Sequence, residues 1–196
     1  MGRLAAYLGP RTSVSALVEG GSYSLSHQAA DHPDGYGLAW YPEDERPEPV
    51  VMLSTTSAAR AAHEMDVPRR YSASCAVASV RKADHLPVDP SGAQPFRAGH
   101  VLFSYDGVLE NFEEVFLRPL REGLSDVQYR SLRGSSAEEL RFATWLDALE
   151  DDGADAMATA LEKMVERVNG LAQEAGVAAS FAVVVSDGSC LVTLRT

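Results

Sequence analysis

The chain has 196 residues, of which 45% are hydrophobic, so it is long enough to bury a sizeable core and suits one domain better than two. Its 28 acidic and 17 basic residues give a formal net charge of -11, and no run of lysine and arginine provides a local basic surface, so we expect no nucleic acid partner. No apolar run is long enough to cross a membrane, and the first twenty residues lack the apolar stretch of a secretory signal. These features predict a cytoplasmic protein without a membrane anchor.

The first half of the chain is a series of short apolar runs that are typical of β-strands. An alanine-rich stretch at 57–65 lies among them and favours a helix. The predicted strands cover residues 4–9, 36–41, 49–53, 74–80 and 100–105.

Beyond residue 107 the pattern becomes helical. Asn111 is a candidate N-cap for a helix over 112–122, which Pro119 should kink or end. The stretch 134–150 then begins with the Ser-x-x-Glu capping pattern, at Ser135 and Glu138, and continues with apolar residues on one face.

A third helix and a hairpin complete the predicted elements. From Met157 to Leu171 apolar residues recur every three or four positions, and Gly176 closes this helix. Strands over 181–185 and 190–194 follow, joined by a turn at Asp187-Gly188. Strands at both ends around a helical middle indicate one α+β domain of layered sheets and helices.

Seven segments are distinctive when they are read together and in order: residues 1–9, 34–41, 79–83, 94–96, 105–112, 134–140 and 186–195. Together they resemble class II glutamine amidotransferases, in which the N-terminal residue is the nucleophile. The resemblance is strongest to the small bacterial branch that includes the ergothioneine-pathway γ-glutamyl hydrolases. It implies an αββα sandwich of two antiparallel sheets between helical layers over residues 1–196, with no cofactor and with glutamine or another γ-glutamyl or carboxylate compound as the ligand.

The resemblance also implies that the catalytic groups are missing. The family places a cysteine directly after the initiator methionine, so that one residue supplies both a thiol and an α-amine. Here that position is Gly2, which has no nucleophilic atom. The family's His-Asn-Gly, whose asparagine amide and glycine N–H form the oxyanion hole, is replaced by Tyr105-Asp106-Gly107. An ionised carboxylate at Asp106 only accepts hydrogen bonds and would repel an oxyanion.

The residues that match the substrate clamp are partly retained. Arg81 stands where the family has an arginine that pairs with the α-carboxylate of glutamine, and we expect it to share one small cleft near the N-terminus with the Gly107 N–H. Ala137 replaces the aspartate that holds the substrate's ammonium group, and Glu138 is one residue away from that position. Gln94 replaces the histidine of the family's His-Pro-Phe. Changes at this many positions indicate natural divergence rather than a single change at Gly2.

Two of these positions have simpler interpretations. Asp106-Gly107 between apolar runs also fits a two-residue hairpin turn. Arg81 also fits a strand-end charge or an ion-pair partner.

We therefore predict a catalytically inactive family member with a scaffold, sensing or partner-stabilising role. The alternative is an active hydrolase of glutamine or another γ-glutamyl amide that uses a relocated nucleophile such as Ser13, Ser104 or Cys75. Because family members continue with further strands beyond the segment matching 186–195, we expect a second copy or a partner protein to cover that region. The five histidines have no metal-binding spacing, so no metal is expected.

Overall fold

The computed structural model describes residues 2–20, 24–29, 31–42, 48–57, 66, 68–82 and 90–196. Their strands form two antiparallel sheets of four strands each, which confirms the α+β prediction. The predicted helix at 57–65 lies, apart from Ser57, outside the described residues. The N-terminal sheet has the order β1 (Arg3–Ser13), β4 (Ser72–Val80), β2 (Tyr36–Trp40) and β3 (Val50–Ser54).

The C-terminal sheet is also antiparallel, but each of its strands pairs with the next one along the chain. The predicted strands in this half are confirmed, and a short strand at 96–98, which the sequence pattern did not reveal, pairs with the start of the next one. The order is β5 (Phe96–Ala98), β6 (Val101–Leu109), β7 (Ala179–Ser186) and β8 (Leu191–Arg195).

Alternation along the strands divides the core into three layers. In β6, for example, Phe103 faces the long helices and Leu102 faces the N-terminal sheet, and both are fully buried. The cluster between the sheets includes Val77 and Val184, whereas Leu38 and Trp40 face the two short helices. These layers give the helix–sheet–sheet–helix arrangement.

Two short helices cover the N-terminal sheet, and the longer ones cover the C-terminal sheet. The longest helix buries an apolar stripe that includes Met157, Leu161, Met164 and Val168, and it ends at Gly176 in the left-handed conformation, as predicted. No helix in the described part of the chain combines the length and apolarity needed to span a membrane. The helices are α1 (Ala16–Glu19), α2 (Leu25–Gln28), α3 (Arg118–Glu122), α4 (Asp126–Ser131), α5 (Ala137–Ala148) and α6 (Ala154–Ala175).

The predicted helix begins at residue 112, directly after Asn111, as expected. Asn111 turns the chain out of β6 with a left-handed φ of 56°, and its carbonyl accepts the first hydrogen bond of the helix, from the Val115 N–H. The helical backbone continues from a π-helical turn over Glu113–Leu117 into α3, so Pro119 interrupts the regular hydrogen bonding without ending the helix.

The capping pattern of α5 is one residue later than predicted. The side chain of Ser136, not Ser135, accepts the hydrogen bond from the Glu139 N–H. The Glu139 carboxylate in turn accepts hydrogen bonds from the Arg133 and Gly134 N–H groups at 2.7 and 2.8 Å. Because two serines and two glutamates are adjacent in the sequence, the pattern fits both registers, and only the loop that precedes the helix selects one.

Asp106 and Gly107 lie inside a strand, so the hairpin-turn interpretation is wrong. They pair with Ala182 and Phe181 of β7. A Cβ atom on Gly107 would lie 2.1 Å from the Ser180 carbonyl oxygen, so close packing against β7 requires glycine here.

The predicted turn at Asp187-Gly188 joins β7 and β8 and is held by one carboxylate. Asp187 Oδ1 accepts hydrogen bonds from the Ser189 and Cys190 N–H groups at 2.8 and 2.9 Å and from the Ser189 hydroxyl at 2.8 Å. Burial alone would raise the pKa of Asp187, but these hydrogen bonds outweigh it and lower the pKa below its usual value.

Asp187→Ala is expected to reduce the free energy of unfolding by about 1–2 kcal/mol near neutral pH, since hydrogen bonds to a charged acceptor are lost at a partly exposed site. Because the folded-state pKa is depressed, this contribution is present above the unfolded pKa of about 3.9 and is lost as the pH falls through the folded pKa. Denaturant unfolding at several pH values should therefore show a difference that shrinks in acid. Asp187→Asn, which keeps an acceptor oxygen, should lose less, and equal stability of Asp187→Ala and the unaltered protein at pH 7 would contradict the assignment.

Candidate active site

A cleft forms where the start of β1 and the end of β4 meet Asp106 and Gly107 of β6. Pairing of Arg3 with Val80 places residue 2 beside residue 81, and β6 lies across both strands. The predicted neighbourhood of Arg81 and Gly107 near the N-terminus is thus confirmed. Gly2, Arg81, Gln94, Asp106, Gly107 and Glu138 line the cleft together.

The cleft is very small. Its volume of about 20 Å³ is close to the space that one water molecule needs. Binding sites for small molecules usually measure roughly 300–1,000 Å³. A small molecule would therefore have to move side chains of the cleft in order to enter it.

Gly2 is held by Asp106. Its backbone nitrogen donates a 2.5 Å hydrogen bond to Asp106 Oδ1, and its carbonyl accepts one from the Arg3 guanidinium at 2.9 Å. A Cβ atom at position 2 would lie 2.5 Å from the Val80 carbonyl oxygen. Because that oxygen belongs to the backbone of a central strand, a side chain at position 2 does not fit unless the main chain moves.

Arg81 is fixed at the end of β4 by its own backbone. Its N–H donates to the Gly35 carbonyl at 2.9 Å, and its carbonyl accepts from the Asp34 N–H at 3.1 Å. Asp34 and Gly35 thus position the arginine through backbone hydrogen bonds. The Arg81 side chain is 12% exposed, and its Nη2 lies 3.8 Å from Glu138 Oε1.

Gln94 connects the two sheets. Its side-chain oxygen accepts a hydrogen bond from the Tyr105 N–H at 2.7 Å, and its amide nitrogen donates to the Tyr105 carbonyl. Its backbone carbonyl accepts from the Ser79 hydroxyl at 2.7 Å. The buried Gln94 side chain was predicted as a substrate-binding residue, but its amide is engaged by Tyr105, so it shapes the cleft wall.

The first turn of α5 brings an acid to the cleft at a different position from the family's aspartate. Ala137 begins the helix and does not line the cleft, whereas Glu138 does. Glu138 reaches Arg81 from this turn, so the one-residue offset does not exclude it from the site.

None of the three candidate relocated nucleophiles lines this cleft, although the Ser104 hydroxyl donates a 3.5 Å hydrogen bond to Gln94 Oε1 from behind the cleft wall. Ser104 and Cys75 are fully buried. Burial raises the pKa of the Cys75 thiol, which keeps it protonated and unreactive, and its sulfur lies 3.2 Å from the Ser186 hydroxyl oxygen. The hydroxyl oxygen of Ser13, at the end of β1, lies 3.0 Å from that of Ser15.

A buried cation behind the cleft was missed in the sequence. The Arg141 guanidinium carbon lies 3.8 Å from the centre of the Tyr105 ring, and Arg141 is only 2% exposed. A charged residue among the core positions of the α5 pattern was the available signal. Among the described residues, no three His, Cys, Asp or Glu side chains form a group that could hold a metal ion.

Comparison with known proteins adds independent information. A sequence profile of the family described as class-II glutamine amidotransferases matches residues 12–196, so the match begins after Gly2. The chain is 26% identical over 125 residues to the probable glutamine amidotransferase DUG3 of Saccharomyces cerevisiae. That alignment covers 62% of this chain and 35% of DUG3, so the aligned part is about a third of the yeast protein's length.

Three solved structures share the fold. A glutamine aminotransferase class-II domain protein from Silicibacter pomeroyi superimposes with a TM-score of 0.68 at 24% identity, over all of this chain and 76% of that one. Glutamine phosphoribosylpyrophosphate amidotransferase from Bacillus subtilis superimposes with a TM-score of 0.58 at 10% identity, over 100% of this chain and 37% of that one. A predicted glutamine amidotransferase from Pseudomonas aeruginosa superimposes with a TM-score of 0.56 at 18% identity, over 98% of this chain and 72% of that one.

Proposed function

Because the chain belongs to the class II glutamine amidotransferase family, we propose that it is a member that does not hydrolyse glutamine and has kept the cleft for a binding role. The observation that carries this proposal is the environment of Gly2. The position that should supply the nucleophile has no side chain, has no room for one against Val80, and has its nitrogen bound to Asp106.

The chemistry of amide hydrolysis explains why these features matter. Covalent catalysis needs a nucleophile beside a base, and the tetrahedral intermediate needs hydrogen-bond donors aimed at its oxyanion. Gly2 supplies no nucleophile, and Asp106 presents a carboxylate oxygen where a donor is required. Losing one oxyanion donor typically costs about 100- to 1,000-fold in rate, and an acceptor in its place is worse. Two independent requirements thus fail in one cleft.

The other cleft residues support binding. Arg81 retains a largely buried guanidinium that suits a carboxylate, and Gly107 and Glu138 share its cleft. We therefore propose that the domain uses this cleft to sense a carboxylate compound such as glutamine or a γ-glutamyl compound, or to stabilise a partner protein. The burial of Ser104 and Cys75 weighs against the alternative of a relocated nucleophile.

Covalent capture tests this proposal. After incubation with an electrophilic diazoketone analogue of glutamine, the protein is expected to show no mass adduct, because none of the described residues that line the cleft is a serine, threonine or cysteine. An active glutamine amidotransferase, labelled under the same conditions, serves as the positive control. A stoichiometric adduct that maps to Ser13, Ser104 or Cys75 would instead establish the relocated-nucleophile alternative.

A further inference from the structure

We infer that Glu138 determines the ligand specificity of the cleft, because its carboxylate occupies the place on Arg81 that the carboxylate of a ligand would take. A small carboxylate then binds by displacing Glu138. This inference rests on the proposed binding role of the cleft, whereas the proposed lack of hydrolysis is tested separately by covalent capture and by ammonia release.

The ion pair lies over a glycine that leaves room for it. A Cβ atom on Gly92 would lie 2.4 Å from Arg81 Nη2 and 3.1 Å from Glu138 Oε2. Both charged groups therefore pack against the same bare stretch of backbone. The Glu138 side chain is 22% exposed, so it has a route from the cleft to solvent.

The direction of Glu138 is set by its neighbours. Ser136 caps α5, and the Glu139 carboxylate is engaged by the Arg133 and Gly134 N–H groups. This arrangement fixes the first turn of the helix. Of the two adjacent glutamates, one holds the loop and the other extends into the cleft.

The contact between Glu138 and Arg81 is suited to displacement. At 3.8 Å it is longer than the roughly 2.7–2.9 Å of a charge-assisted hydrogen bond. A free carboxylate can approach the guanidinium in the closer, two-bond geometry that a side chain tethered to α5 does not reach. Lys82 also lines the cleft and contributes a positive charge beside Arg81, whereas Asp106 contributes a negative charge at the Gly2 nitrogen. When a ligand carboxylate displaces Glu138, the long contact of Glu138 with Arg81 is thus replaced by shorter hydrogen bonds from Arg81 to the ligand.

Glutarate and its uncharged diamide, glutaramide, are suitable probes because they have the same length and differ in charge. In an NMR titration that follows the Arg81 and Gly107 amides, Glu138→Gln is expected to bind glutarate about ten- to a hundredfold more tightly than the unaltered protein. This range corresponds to a cleft that is open in roughly one to ten per cent of the unaltered molecules. Glutaramide should bind both proteins equally.

Matched variants separate this effect from general ones. Glu174→Gln removes an exposed charge on α6 and should leave glutarate affinity unchanged, whereas the double variant Arg81→Gln, Glu138→Gln should lose the gain. Thermal unfolding confirms that each variant folds. Equal or weaker glutarate binding by Glu138→Gln, or no binding at all, would overturn the inference, as would an equal gain for glutaramide. The proposed lack of hydrolysis would stand in each case.

Discussion

Gly2→Cys alone is expected to release no measurable ammonia from glutamine. The substitution supplies a thiol, but Asp106 still opposes the developing oxyanion, which costs at least about 100- to 1,000-fold in rate. The new side chain also needs space that the Val80 carbonyl occupies, since its Cβ atom would lie 2.5 Å from that oxygen. The N-terminal backbone must therefore shift away from the position in which Gly2 meets Asp106.

The matched comparison is a series that restores the family's residues stepwise. Gly2→Cys with Asp106→Asn restores an oxyanion donor, and adding Ala137→Asp restores the family's acid. The triple variant should release ammonia at least about 100-fold faster than Gly2→Cys, because these groups act on one intermediate and their effects are not additive. Substantial turnover by Gly2→Cys alone would show that Asp106 is not directed at the oxyanion.

Gly37→Ala is expected to lower the free energy of unfolding by about 3 kcal/mol, at the upper end of the effects of overpacking. A Cβ atom on Gly37 would lie 1.9 Å from the Gln94 carbonyl oxygen and 2.7 Å from its carbon. That carbonyl cannot retreat easily, because the Ser79 hydroxyl holds it and the Gln94 side chain is bound to Tyr105. For a chain of this size the loss corresponds to a decrease of roughly 6–12 °C in Tm.

Gly170→Ala makes the same chemical change where there is space. Gly170 lies inside α6, and a Cβ atom there meets nothing within 4 Å. Replacing this glycine should stabilise the protein by about 0.5–1 kcal/mol, because alanine loses less backbone entropy in a helix. Denaturant unfolding of both variants measures the contrast. Similar stability of the two variants would contradict the close approach of Gln94 to Gly37.

The strands and the long C-terminal helix could be predicted because their signals are local. Short apolar runs and a three- to four-residue repeat follow directly from burial on one face. The turn that follows β6 was harder to predict from the sequence, because the left-handed Asn111 and the π-helical turn depend on how the chain leaves the sheet. The register of the α5 cap was ambiguous for a similar reason, because Ser136 was selected over Ser135 by the preceding loop.

The sequence predicted which residues lie in the cleft better than it predicted the contacts between them. The resemblance identified Gly2, Arg81 and Asp106, and the pairing of β1 with β4 brings them together. It gave no indication that Asp106 binds the Gly2 nitrogen or that Glu138 reaches Arg81. These contacts join residues far apart in the chain, and they form between positions that the family uses for a bound substrate. The residue replacements in the sequence indicate which family side chains are missing, whereas the contacts that the replacing side chains make are visible only in the structure.

The most direct test of this account is ammonia release from L-glutamine by the unaltered protein, with mass spectrometry establishing that its N-terminal residue is Gly2. The account predicts no release above the buffer at any protein concentration, because the described residues that line the cleft include no serine, threonine or cysteine and place the Asp106 carboxylate at the Gly2 nitrogen. Turnover that rises in proportion to protein concentration and disappears in Arg81→Gln would contradict it, and would show that this cleft is an active site.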